Sequence, residues 1–150
     1  MRGFVGFVVA LVLAGAVCAA PSWAGEGQPK LVVNGVSFDL EALEKMPVAT
    51  VDTTSPWTDG VTKFEGVSAK ALLDAAGAKA GVFKATALDD YAVEIPREDL
   101  EKAIIAYKMD GAPLDEQFGP YWIIYDYDAG FGDEPHQERS VYKLKALEPK

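Results

Sequence analysis

The chain has 150 residues, and 14 basic against 23 acidic side chains give it a formal charge of −9. That length suits one domain, and the acidic balance excludes both a nucleic-acid face and a basic anchor on anionic lipid. One cysteine, Cys18, and one histidine, His136, exclude a Cys/His zinc site and leave His136 as the sole imidazole for any Ser-His or Cys-His mechanism.

Met1-Arg2 supplies one positive charge, and Gly3 to Ala20 then runs without a charged residue. Pro21 breaks that run, and Ser22-Trp23-Ala24 has the small-x-small pattern that a signal peptidase reads. Residues 1–24 are therefore expected to be a signal peptide cleaved after Ala24, with export to the periplasm. The alternative is a retained membrane anchor, since the apolar run is marginally long enough to span. Cleavage removes Arg2 and Cys18, so the processed chain, 25–150, carries a charge of −10 and no cysteine. It must be held together by its core alone, which its length permits.

Along the processed chain, Leu31 to Phe38 places two short apolar pieces around Asn34-Gly35, the strongest short hairpin signal. Asp39 can cap a helix over Leu40 to Met46, stopped by Pro47. Val48 to Thr54 alternates and is rich in β-branched residues, so a strand is expected. A loop follows over Ser55-Pro56-Trp57-Thr58-Asp59-Gly60, then an extended piece from Val61 to Glu65. Ser68 is placed to cap a helix through Ala76, with Leu72 and Leu73 on its buried stripe and Gly77 as terminator. Strands are expected over Val82–Ala87 and Tyr91–Ile95, with a tight turn at Asp89-Asp90. A helical turn follows Pro96, from Arg97 to Glu101. Further strands are expected over Ile104–Met109, ending in the turn pair Asp110-Gly111, over Tyr121–Tyr125, and over Val141–Leu147. Between the last two, Asp126 to Ser140 holds two glycines, one proline and five acids and reads as a long lid or binding loop. Strands outnumber helices, so the fold class is α+β with a mainly β core.

Five pieces in this order carry a resemblance: Phe64-Glu65-Gly66-Val67; Leu72-Leu73-Asp74-Ala75-Ala76-Gly77, into which it runs; Ala87-Leu88-Asp89-Asp90-Tyr91 through Pro96; Ile105-Ala106-Tyr107-Lys108-Met109-Asp110-Gly111-Ala112-Pro113-Leu114; and Gly119-Pro120-Tyr121-Trp122-Ile123-Ile124-Tyr125. Together they resemble the molybdopterin-binding domain of the sulfite oxidase family, in its small stand-alone exported form, over Leu31 to Leu147. The resemblance implies that family's mixed α+β fold and a pterin-like pocket. Its enzymes bind molybdenum through a pterin dithiolene and one cysteine thiolate. Here the matching segment, Thr50 to Ser55, offers hydroxyls and no sulfur, and hydroxyls are poor substitutes for a soft thiolate ligand. The chain is also much shorter than those enzymes and lacks the basic residues that would surround a pyranopterin phosphate.

The candidate ligand-binding residues are Thr53, Thr54, Trp57, Asp89, Asp90, Tyr91 and Arg139. Trp57 offers a face for a flat ring whose edge Thr53 and Thr54 would bond, or it closes its loop onto the core. Asp89 or Asp90 can accept paired N–H groups from an aminopyrimidine edge, or simply form a turn; Tyr91 can close the pocket wall. Arg139 can clamp a carbonyl or phosphate at the cavity mouth, or pair with Glu134 or Glu138. His136 is expected to be a solvated loop residue. Asp126, Asp128, Asp133 and Glu134 fail the EF-hand template, because Phe131 and Gln137 stand where glycine and glutamate are needed. No metal site is therefore expected.

These readings give an exported domain that binds a pterin or molybdopterin-like planar ligand without catalysis. The resemblance suggests a sensor or adaptor for a membrane signalling protein, such as an enzyme of cyclic diguanylate metabolism. The alternative is a molybdopterin-dependent oxidoreductase or its accessory subunit.

Overall fold

The computed structural model describes residues 29–150. The expected signal peptide and its cleavage point lie outside the described residues. Leu31–Val33 (β1) and Val36–Phe38 (β2) form the hairpin expected at Asn34-Gly35, whose two residues have φ of 51° and 79°. Asparagine and glycine tolerate that left-handed geometry best, which is why the turn forms there. Asp39 caps α1 (Leu40–Glu44), its carboxylate accepting the Ala42 N–H at 2.7 Å.

Ala49–Ser55 (β3) and Thr58–Ser68 (β4) form the next hairpin. The six-residue loop expected at 55–60 contracts to a two-residue turn, Pro56-Trp57. Ser55 pairs with Thr58 across it, and their hydroxyls meet at 2.6 Å. Ser68 then caps α2 (Ala69–Ala75) as its position implied, accepting the Ala71 N–H. Val82–Ala87 (β5) and Ala92–Pro96 (β6) follow, then α3 (Arg97–Leu100), Ile104–Met109 (β7), the short Ala112–Pro113 (β8) and Trp122–Ile124 (β9). The chain closes with Leu144–Pro149 (β10).

The strands form two five-stranded sheets. One has the order β2-β1-β10-β5-β6, with β1 and β10 parallel and the other pairs antiparallel. The other runs β3-β4-β7-β8, with β9 also pairing to β7. On β5 burial alternates, with Phe83, Ala85 and Ala87 inward. On β7 the run Ile104-Ile105-Ala106-Tyr107 is buried throughout, as expected of a strand covered on both faces. The α+β, mainly β class holds.

The two sheets share one core. Trp122 is fully buried at its centre, stacked on Phe118 at 4.3 Å and 12° and edge-on to Phe64 at 5.4 Å. Its indole N–H donates to the Ser140 carbonyl at 3.2 Å, so the one polar atom of the ring is satisfied. Backbones approach most closely at Gly66, where a Cβ would lie 1.9 Å from the Ile105 carbonyl oxygen. Only glycine lets β4 and β7 pair at that point.

The segment 126–140, expected to be a lid loop, is structured. Tyr127–Ala129 forms a 3-10 turn and Glu134–Arg139 forms α4. No residue of α4 is buried. The helix is held by polar ties rather than an apolar stripe, so hydrophobic periodicity could not reveal it. No helix among the described residues is long and apolar enough to cross a membrane.

Candidate functional site

A cavity of about 220 Å³ opens where two hairpin turns meet the end of a short helix. The β3–β4 turn contributes Trp57. The β5–β6 turn contributes Asp89 and Tyr91 above Ala87. The third wall is the end of α4 and the segment after it, with Gln137, Glu138, Ser140, Val141 and Tyr142.

Each wall is fixed locally. Pro56-Trp57 is short enough to hold the indole in place. The ring is half-buried, edge-on to Trp122 at 5.6 Å and 76°, and tilted against Tyr127 at 6.0 Å. Trp57 therefore both packs on the core and lines the cavity. Asp89 accepts the Tyr91 N–H at 3.2 Å, an Asx turn that sets the angle of the tyrosine. The Tyr91 hydroxyl donates to the Glu138 carbonyl at 3.1 Å and so ties the second wall to the third. Burial, the Glu138 carboxylate and Tyr142 push the Tyr91 phenol above its ordinary value. Ser140 of the third wall is fixed from behind: the Tyr127 hydroxyl donates to its hydroxyl at 2.6 Å, which in turn donates to the His136 carbonyl at 2.7 Å. Burial raises the Tyr127 phenol to about 12, so it stays a neutral donor.

Trp57, Asp89 and Tyr91 thus come together on one cavity. The other candidate residues do not line it. Asp90 turns away at φ 69° and faces Lys145 at 3.5 Å. Thr53 is fully buried, donating to the Thr54 carbonyl and accepting the Asp128 N–H. Thr54 gives its N–H and its hydroxyl to the Asp128 carboxylate at 2.9 and 2.5 Å. The two threonines clasp the 127–129 turn instead of presenting hydroxyls to a ligand. Those bonds, the Thr54 hydroxyl first, hold the Asp128 carboxyl below its usual value.

Arg139, expected at the mouth, pairs with neither Glu134 nor Glu138. Its Nη1 donates to Asp99 on α3 at 2.6 Å. Asp99 also faces His136 Nε2 at 2.9 Å, while His136 Nδ1 meets Asp133. His136 is only 13% exposed and is a structural node, not a solvated loop residue. Burial opposes its charge, but carboxylates on both ring nitrogens outweigh that and raise its pKa, because only the imidazolium can donate from both. Desolvation likewise opposes ionisation of Asp99, and the hydrogen bonds from His136 and Arg139 overcome it, lowering its pKa.

Sequence reasoning missed Gln137, Glu138 and Tyr142. Tyr142 sits in an expected strand that begins two residues later, at Leu144, and Glu138 lies in the unrecognised helix.

The profile of the oxidoreductase molybdopterin binding domain matches residues 29–120, more than half of the chain. The chain belongs to that family. The crystal structure of the sulfane dehydrogenase SoxCD from Paracoccus pantotrophus is similar in fold, with a TM-score of 0.62 at 19% sequence identity. The likeness covers 80% of this chain and 37% of that one, so this member spans well under half of its structural neighbour. No curated protein matches the sequence.

The family's cofactor can be tested against the residues present, and a thiolate-held molybdenum does not fit. Residues 29–150 contain no cysteine, and the hydroxyls of Thr53 and Thr54 are engaged in the Asp128 clasp. Among the described residues no group of three or more His, Cys, Asp or Glu is arranged to hold a metal ion. The cavity lining contains no lysine or arginine, the side chains that a phosphate would need. The wall from Gln137 to Tyr142 also lies beyond the residues that the family profile matches.

Proposed function

We propose that this family member binds a small planar nitrogen heterocycle of pterin type in the cavity between Trp57, Tyr91 and Tyr142, and does so without molybdenum chemistry. The observation that carries this reading is the lining itself, aromatic faces and carboxylates with neither thiolate nor cation. A pterin presents two flat faces and an aminopyrimidine edge bearing N–H donors, which aromatic walls and acceptors suit. The volume, below the roughly 300–1,000 Å³ of drug-sized sites, suits a ligand of one or two rings. Given the leader-like residues 1–24, the domain acts in the periplasm as a sensor or adaptor that reports occupancy to a membrane signalling protein, for instance one that makes or degrades cyclic diguanylate.

The family match favours a second reading, a molybdopterin-dependent oxidoreductase or its accessory subunit. Elemental analysis of protein purified from its own periplasm separates the two. The binding reading expects no stoichiometric molybdenum and an organic ligand released on denaturation. Stoichiometric molybdenum would overturn it in favour of the oxidoreductase.

A further inference from the structure

We infer that the ligand of this cavity is a cation, a positively charged planar nitrogen heterocycle gripped between aromatic faces and two carboxylates. The inference rests on the binding reading above and specifies the charge of what binds.

The donors of the cavity are largely spent on the protein itself. The Tyr91 hydroxyl donates to the Glu138 carbonyl, the Ser140 hydroxyl to the His136 carbonyl, and the Gln137 amide nitrogen to the Gly132 carbonyl at 2.8 Å. Among the lining side chains, the Trp57 indole N–H, the Tyr142 hydroxyl and the second Gln137 amide N–H are left to donate. The remaining polar groups are acceptors: the carboxylates of Asp89 and Glu138 and the Gln137 amide oxygen. A neutral or anionic ligand rich in acceptors would leave these facing lone pairs, at a desolvation cost.

Charge points the same way. The basic residues nearest in sequence, Arg139, Lys143 and Lys145, do not line the cavity. Arg139 is committed to Asp99 and Lys145 to Asp90. The aromatic rings present electron-rich faces, which attract a cation but not an anion. The chain as a whole is strongly acidic, so the long-range field also favours a cation's approach.

The test compares two probes of nearly equal shape, 1-methylnicotinamide, which is a cation, and 3-methylbenzamide, which is neutral. Calorimetry on the processed protein should show the cation binding at least tenfold more tightly. That advantage should shrink as salt is raised and fall several-fold in Glu138→Gln and in Asp89→Asn. Both side chains are exposed, so these variants should keep the wild-type melting temperature, and asparagine preserves the Asx acceptor. Equal or tighter binding of 3-methylbenzamide would overturn the inference, as would a cation advantage that survives in the double variant. If a neutral oxidised pterin binds in a Trp57-dependent way while the cation shows no advantage, the charge inference falls and the binding reading stands. If no planar probe binds, both fall.

Discussion

Two tryptophans, 5.6 Å apart and nearly perpendicular, sit in opposite settings. Trp122 is fully buried, stacked on Phe118, and its N–H has a backbone partner. Every feature of that ring is consumed by the fold. Trp57 stands on a two-residue turn, half-buried, with one side against Trp122 and another on a cavity walled by Tyr91 and Tyr142. The same residue type is therefore spent on packing at one place and left available for a ligand at its neighbour. The contrast extends outward. Around Trp122 the neighbours are buried aromatic and aliphatic side chains; around Trp57 the walls are held by polar ties to surface elements.

If that contrast is right, the two regions should respond differently to substitution. The largest effect is expected at the core. Trp122→Ala should cost about 3–5 kcal/mol, as for other large aromatic truncations, whereas Trp57→Ala should cost about 1–2 kcal/mol, because only part of its surface is buried. Urea titrations of both variants would break the comparison if the two losses were equal. Gly66→Ala should cost about 3 kcal/mol, at the upper end for overpacking, because the new methyl would meet backbone of β7 rather than a flexible side chain. A Gly66→Ala protein that melts with the wild type would show that β4 and β7 are not so tightly joined.

The polar ties on the cavity side should show in pH dependence, which the core should lack. Asp99 and His136 are 16% and 13% exposed, so their link is poorly screened. The Asp99 pKa is depressed below 3.8 in the folded chain, so its contribution is full above that value and is lost as pH falls through the folded pKa. The His136 pKa is raised above 6.5, so its contribution is full below that value and fades as pH rises through the folded pKa. The clamp between α3 and α4 is therefore strongest between the two titrations. Asp99→Asn should cost about 1.5–3 kcal/mol at pH 5.5, the scale of a charged hydrogen bond, and should flatten the dependence of melting temperature on pH. An unchanged pH profile in this variant would show that the network does not anchor α4.

How much of this could be read beforehand depends on what each element leaves in the sequence. Asn34-Gly35 and Asp110-Gly111 mark turns because both residues of each adopt positive φ, which few other pairs tolerate. Ser68 marks a helix start through a side-chain bond that only a short polar residue makes. The family fold was legible from the ordered pieces between Phe64 and Tyr125. α4 was not, because Glu134 to Arg139 has no apolar face and is held by long-range partners such as Asp99, forty positions from Arg139. For the same reason the third wall of the cavity and the true partner of Arg139 were hidden. Thr53 looked like a site residue because it sits on a strand end beside Trp57; that its hydroxyl is turned to Asp128 is a tertiary fact, 75 residues distant.

The Thr53 tie should have the smallest effect on stability. Thr53→Ala removes one neutral hydrogen-bonding group and should cost about 0.5–1.5 kcal/mol in urea denaturation. It should leave ligand affinity nearly unchanged, since Thr53 does not line the cavity. A large loss of affinity with little loss of stability would move Thr53 back into the site.

The central claim, that the cavity beside Trp57 receives a planar ligand, is tested most directly by calorimetric titration of a pterin into the wild-type protein and into Trp57→Ala, each first shown to be folded. The account predicts saturable binding by the wild type, weakened by about 1–3 kcal/mol in the variant, the scale of base–aromatic stacking. Equal affinity in the two proteins would contradict it and place the ligand elsewhere on the fold.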